Sequence, residues 1–140
     1  MAKSDTLERT WHRACSALLP PPRLTVSEWA DRYRVLDNTS PEPGPWRTDR
    51  TPYLREVMDS LSPSEPCERV VFVKSAQIGG TEALLNFCGY LMAHAPAPIL
   101  MVQPTVEMAK RFSKQRLDAL IESTPTLRGK VKDPRSRDSG

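Results

Sequence analysis

A chain of 140 residues, 39% hydrophobic, 6% aromatic and formally +3, suits one domain or part of one and excludes a large multidomain machine. Its 14 prolines exceed the usual ~5% share and cluster at Pro20, Pro21 and Pro22 and at Pro41, Pro43, Pro45 and Pro52, which read as linker rather than core. A charged fraction of 26% is ordinary for a folded protein, and Cys15, Cys67 and Cys88, widely spaced with only His12 and His94 for company, exclude a four-ligand zinc site.

The polar start MAKSDTLERTWHR has no apolar stretch and so is no signal peptide, and no run approaches a membrane span. The chain reads as soluble and cytoplasmic, its cysteines as reduced thiols. Leu7, Trp11, Ala14, Cys15 and Leu18 share one stripe of an amphipathic helix that the triple proline ends. Thr25-Val-Ser-Glu28 is a capping-box pattern opening a short helix through Trp29 and Tyr33. Residues 37–50 lack any period and read as loop. Thr51 as N-cap and Pro52 at the first helical position predict a helix with Leu54, Val57, Met58 and Leu61 on its apolar face.

Arg69-Val-Val-Phe-Val73 is a β-branched apolar run, as expected for a strand buried on both faces. It enters Lys74-Ser-Ala-Gln-Ile-Gly-Gly-Thr81, and a helical segment follows with Ala83, Leu84, Phe87, Cys88, Leu91 and Met92 as its apolar side. Ile99-Leu-Met-Val102 reads as a second buried strand, and Gln103-Pro104-Thr105 leads into a helix with Met108, Ala109, Phe112, Leu117, Leu120 and Ile121 facing inward. Strand, loop, helix, strand, helix is the order of a parallel βαβ unit with a right-handed connection. The expected fold is therefore α/β: an incomplete phosphate-loop NTPase core over 51–140, preceded by a helical, proline-rich arm and linker over 1–50.

A Gly-containing loop between a strand and a helix N-terminus is where backbone N–H groups meet phosphates. Against the ordinary pattern G-x-x-x-x-G-K-[ST], Thr81 supplies the final hydroxyl and Gly79 the second glycine. Gly80 stands where the lysine is usual, and Lys74 stands at the first glycine. The positive charge has moved from the end of the loop to its beginning. A lysine's long stem reaches β- and γ-phosphates from either side, whereas the Mg²⁺-ligating hydroxyl has to stay in the first helical turn. From these residues alone, a glycine-softened turn carrying an exposed lysine is the competing reading.

The segment VVFVKSAQIGGTE, preceded by WRTDRTPYLREVMD and followed by ILMVQPTVEMAKRF, resembles the N-terminal part of the large terminase subunit of tailed bacteriophages, in the lambda-type family. The likeness spans roughly residues 24–140, including the closing KDPRSRDSG. It implies an ATPase that drives DNA into a procapsid, coupled to a nuclease that cuts concatemeric DNA. The implied cofactors are ATP and Mg²⁺. The implied partners are double-stranded DNA, the small terminase subunit and the portal of the procapsid, all within a bacterial host. By the same resemblance, Lys74 is the displaced lysine on the β/γ-phosphates, Ser75, Ala76, Gln77, Ile78, Gly79 and Gly80 are the loop backbone, and Thr81 ligates Mg²⁺. Trp46, Arg47 and Tyr53 are candidates for adenine contact. Thr105, Lys110, Arg111 and Lys114 are candidates for DNA contact, although a plain N-cap explains Thr105 without function and is the favoured reading of that residue.

From Lys110 onward, nine cations face four carboxylates, leaving that end at +5 and residues 1–109 at −2. A basic end attracts phosphate backbones, and it also suits a solvated helix face. No apolar run ends in two acidic residues, so the carboxylate pair that ATP hydrolysis requires is missing. No carboxylate cluster for a two-metal nuclease is visible either. The expectation is a motor domain truncated before its acidic strand and inactive alone. The alternatives are another phosphate-loop translocase or helicase fragment and a small, non-enzymatic DNA- or protein-binding adaptor.

Overall fold

The computed structural model describes residues 10–11 and 22–131. Of the helix expected over Leu7–Leu18, only Thr10 and Trp11 fall within that set, and both are helical. The rest of that helix lies outside the described residues, as does the closing KDPRSRDSG with Lys132, Arg135 and Arg137.

Helix α1, Val26–Tyr33, starts on the expected capping box. The Glu28 N–H donates to Thr25 Oγ1 at 3.3 Å, and the Thr25 N–H donates to Glu28 Oε2 at 2.9 Å. Two more first-turn N–H groups find partners at the end of the next helix: Val26 donates to Ser62 Oγ at 2.9 Å and Ser27 to Asp59 Oδ1 at 3.2 Å. The helix end is thus satisfied by neighbouring chain as well as by its own cap. Val26, Trp29 and Ala30, spaced three and four apart, bury completely.

Strand β1, Val35–Leu36, pairs antiparallel with β2, Gly44–Pro45, with Val35 opposite Pro45 and Leu36 opposite Gly44. Residues 37–50 are therefore not plain loop: they hold half of a small hairpin and a 3-10 turn over Thr48–Arg50. Two-residue strands are too short to show a period in sequence. The hairpin tip is tied by Asp37, which accepts from the Thr39 hydroxyl at 3.0 Å and from Ser40 Oγ at 3.1 Å. Desolvation raises the Asp37 pKa, yet these bonds outweigh it and hold the carboxyl below its ordinary value.

Helix α2, Tyr53–Asp59, begins one residue later than expected. Pro52 occupies the cap, and the buried Thr51 hydroxyl has no partner. Leu54 and Met58 bury as the apolar face requires. Helix α3, Gly80–Ala93, is the axis of the molecule, with Ala83, Leu85, Cys88, Tyr90 and Leu91 in the core. Gly89 allows α1 to cross it closely: a Cβ there would stand 2.5 Å from Trp29 Cη2. Trp29 also meets Tyr90 edge-on, with ring centroids 6.5 Å apart. Helix α4, Val106–Phe112, runs through a π-turn at Ser113–Leu117 into helix α5, Asp118–Ser123, whose Leu120 joins Leu127 to close the core.

The two expected strands are the main correction. Residues 69–73 and 99–102 make no strand ladder, and the only sheet among the described residues is the β1–β2 pair. Phe72 and Met101 pack against the helical core, while Val71, Val73, Leu100 and Val102 are 76%, 91%, 89% and 78% exposed. The period-two alternation of a strand is present on one face only. A parallel strand is stable when both faces and both edges are occupied, and an isolated strand pair is marginal in water. The described fold is thus mixed: helices with a small antiparallel sheet, compatible with an ATPase domain but without a parallel βαβ core.

Candidate nucleotide-binding loop

Residues 74–79 join the extended segment to α3, and Gly79 caps the helix in the left-handed region at φ 80°. A side chain there would be strained by that φ and would meet Leu54 Cδ1 at 3.0 Å. Gln77 is also left-handed, at φ 56°, although it is no glycine. Such a residue stores backbone strain of about 1–3 kcal/mol, a cost concentrated at functional sites.

Lys74, Ser75, Ala76, Gln77 and Thr81 are exposed, while Ile78 is half-buried. Among the described residues, the N–H groups of Gly79, Gly80, Thr81 and Glu82 have no acceptor; the first paired amide is Ala83, which donates to Gly79 O at 3.0 Å. Unpaired donors and the positive end of a 14-residue helix dipole converge there. The Lys74 stem lies across Gly80, and its Nζ donates to Ser75 O at 3.3 Å.

A cleft of about 790 Å³ is lined by Leu36, Pro45, Trp46, Arg47, Glu82 and Arg116 among others; none of residues 74–81 lines it, and Glu82 is its one lining residue from α3. The cleft brings together two of the three adenine candidates. Trp46 is buried with its Nε1 donating to Thr48 Oγ1 at 3.0 Å, and Arg47 is exposed at the rim. Tyr53 is 55% exposed and does not line the cleft. Of the DNA candidates, Thr105 accepts from the Met108 N–H at 3.2 Å as the N-cap of α4, and Lys110, Arg111 and Lys114 are exposed along α4 and the π-turn.

Residues absent from the sequence reading surround Glu82, which follows Thr81. Arg34 is buried, and its Nη2 donates to Glu82 Oε2 at 3.3 Å. Its Nη1 donates to the Val35 carbonyl and reaches Ser123 Oγ at 3.3 Å and Thr124 Oγ1 at 3.4 Å. Arg116 Nη1 lies 3.7 Å from Glu82 Oε1. Burial lowers the Arg34 pKa, with Glu82 opposing that shift. The two guanidinium groups neutralise a carboxylate that would otherwise repel an anion at the loop. No local pattern announces this: Arg34 is simply the last residue of a helix end that happens to be enclosed. Among the described residues, no three of His, Cys, Asp and Glu gather to hold a metal ion, and no helix is long and apolar enough to cross a membrane.

These features fit a nucleotide-handling ATPase domain, and comparison with known proteins places the chain among them. Residues 40–140 match the family described as phage terminase large subunit gpA, ATPase domain. The chain belongs to this family of phage terminase large subunits. It is 30% identical over 113 residues to the terminase large subunit of Enterobacteria phage P21, an alignment covering 80% of this chain and 17% of that protein. The chain therefore spans about a sixth of that relative's length. No solved structure matches it.

Proposed function

We propose that this chain is the nucleotide-binding front of a DNA-packaging motor, with the loop from Lys74 to Thr81 taking the phosphates of ATP. The observation that carries this reading is the convergence of unpaired N–H groups at Gly79–Glu82 with the Lys74 side chain over the same helical turn. Phosphate placed there gains both amide dipoles and a cation. The Thr81 hydroxyl, exposed in the first turn, is the residue that would hold Mg²⁺ together with the nucleotide's own oxygens. Mg²⁺, when bound, neutralises charge on the β- and γ-phosphates. Trp46 and Arg47, in the cleft that Glu82 also lines, suit the adenine end, with Tyr53 outside it.

The exposed Lys110, Arg111 and Lys114 suit double-stranded DNA. The small subunit and the procapsid portal remain partners proposed for the whole protein. ATP-driven packaging and cutting of DNA are likewise activities of a machine of which this chain spans a small part. The carboxylate pair needed for hydrolysis is absent from the sequence, so turnover by the 140 residues alone is not expected.

Equilibrium binding of radiolabelled ATP with Mg²⁺ tests this, using the complete reading frame that contains the chain. Lys74→Ala is expected to weaken binding about tenfold or more, the scale of a lost charge-assisted contact. Undiminished affinity in a folded Lys74→Ala protein would overturn the reading.

A further inference from the structure

Two guanidinium groups face one carboxylate just past the phosphate loop. Buried Arg34 donates from Nη2 to Glu82 Oε2 at 3.3 Å, and its Nη1 is held by the Val35 carbonyl and Ser123 Oγ. Arg116 Nη1 stands 3.7 Å from Glu82 Oε1, within ion-pair range but too far for a hydrogen bond. Arg34 therefore fixes and neutralises the carboxylate, and Arg116 is the surplus cation. Its side chain is exposed, so the pair is weak and a better acceptor can take the guanidinium.

The backbone at Arg116 is irregular. It lies in the π-turn Ser113–Leu117, where the Asp118 N–H donates to Ser113 O, five residues back. Such turns are rare and recur at functional sites. From there Arg116 lines the same cleft as Trp46 and Arg47. Glu82 belongs to both regions: its N–H is the last of the four unpaired amides that begin at Gly79, and its side chain is the one contribution of α3 to the cleft. A nucleotide with its phosphates on those amides and its base beside Trp46 has to cross at Glu82. Arg116 faces that crossing.

We propose that Arg116 is a nucleotide-binding residue that exchanges Glu82 for the phosphate nearest the ribose. When that phosphate arrives, the guanidinium trades a 3.7 Å ion pair for charge-assisted hydrogen bonds, while Glu82 stays neutralised by Arg34. The planar fork of a guanidinium matches two phosphate oxygens, a geometry that a ribose hydroxyl does not offer. The inference rests on the nucleotide-binding reading of the loop and goes beyond it by joining loop and cleft through a residue of a different helical run.

The test is the affinity of the complete reading frame for ATP and for ADP, each with Mg²⁺, with thermal unfolding recorded without nucleotide. Arg116→Ala is expected to weaken both nucleotides about tenfold, since both carry the phosphate nearest the ribose. Arg116→Gln, which lacks the charge, is expected to lose as much, and Arg116→Lys, which keeps it, to lose less. The unfolding midpoint is expected to stay at the parent's value in all three, because an exposed ion pair adds little to stability. Full ATP affinity in Arg116→Ala, with binding weakened in Lys74→Ala, overturns the inference and leaves the reading of the loop standing. A loss for ATP that ADP does not share overturns it, and so do equal losses in the Gln and Lys variants. A midpoint that falls in step with affinity across the variants assigns Arg116 to the fold and overturns it too. If Lys74→Ala leaves affinity unchanged, the reading of the loop falls and takes the inference with it.

Discussion

The two sides of α3 are built differently. On one, α1 and α2 bury Val26, Trp29, Ala30, Leu54 and Met58 in the same core as its own apolar residues. On the other, the segments 69–73 and 99–102 turn Phe72 and Met101 inward and leave Val71, Val73, Leu100 and Val102 bare. Helices complete their backbone hydrogen bonds within themselves, so a few of them with matching apolar faces can close a core. Strands complete theirs only with neighbours. The helical side is therefore self-sufficient and the extended side is not, although residues 70–73 and 99–102 are the more apolar in sequence.

The largest effect should come from removing the wedge on the closed side. Trp29→Ala empties the space above Gly89 and beside Tyr90, and such a truncation typically costs about 3–5 kcal/mol. Chemical denaturation followed by circular dichroism should show the transition shifted to low denaturant or lost. A shift of less than 1 kcal/mol, on the scale of an ordinary surface change, would mean that this side is not the stable one.

Arg34 comes next, because it joins the closed side to the loop. Its guanidinium ties the β1 backbone, the end of α5 and the first turn of α3 together. Removing one partner of a buried ion pair costs about 3–5 kcal/mol, and here the lower end applies because Arg116 still faces Glu82. Arg34→Ala should thus destabilise by about 3 kcal/mol in the same denaturation experiment, and Glu82→Gln by less, since Glu82 is partly solvated. Equal losses would show that the ion pair itself, rather than the buried guanidinium, carries the contribution.

Local signals made much of this readable. Thr25 and Glu28 announced α1, Thr105 announced α4, and the spacing of Leu54 and Met58 gave the buried face of α2. The loop was readable because Gly79 and Thr81 keep fixed places relative to a helix start, a constraint of chain geometry rather than of distant packing. The β1–β2 hairpin was hidden because Val35 and Leu36 find Pro45 and Gly44 across the connection 37–43, with strands too short for any alternation to detect. The Arg34–Glu82–Arg116 cluster was hidden because three elements far apart in sequence create it. The strands at 69–73 and 99–102 were overread for the opposite reason: a β-branched run states a preference, but a ladder needs partners that the run cannot supply.

The smallest effect belongs to that open side, and it is the most direct check on the contrast. Val73→Thr and Leu100→Thr replace bare apolar side chains with polar ones in segments that make no ladder. Substitutions at such surface positions usually change stability by no more than about 0.5 kcal/mol. In the 140-residue chain the double variant should unfold within that margin of the parent. Its binding of a hydrophobic dye should fall, because contiguous exposed apolar surface is what such dyes and self-association both use. A loss approaching that of Trp29→Ala, shrinking as protein is diluted because the parent then loses its partner too, would show instead that Val73 and Leu100 are covered in solution by a second copy of the chain. The extended side would then be an interface, and the asymmetry about α3 would be a property of the monomer only.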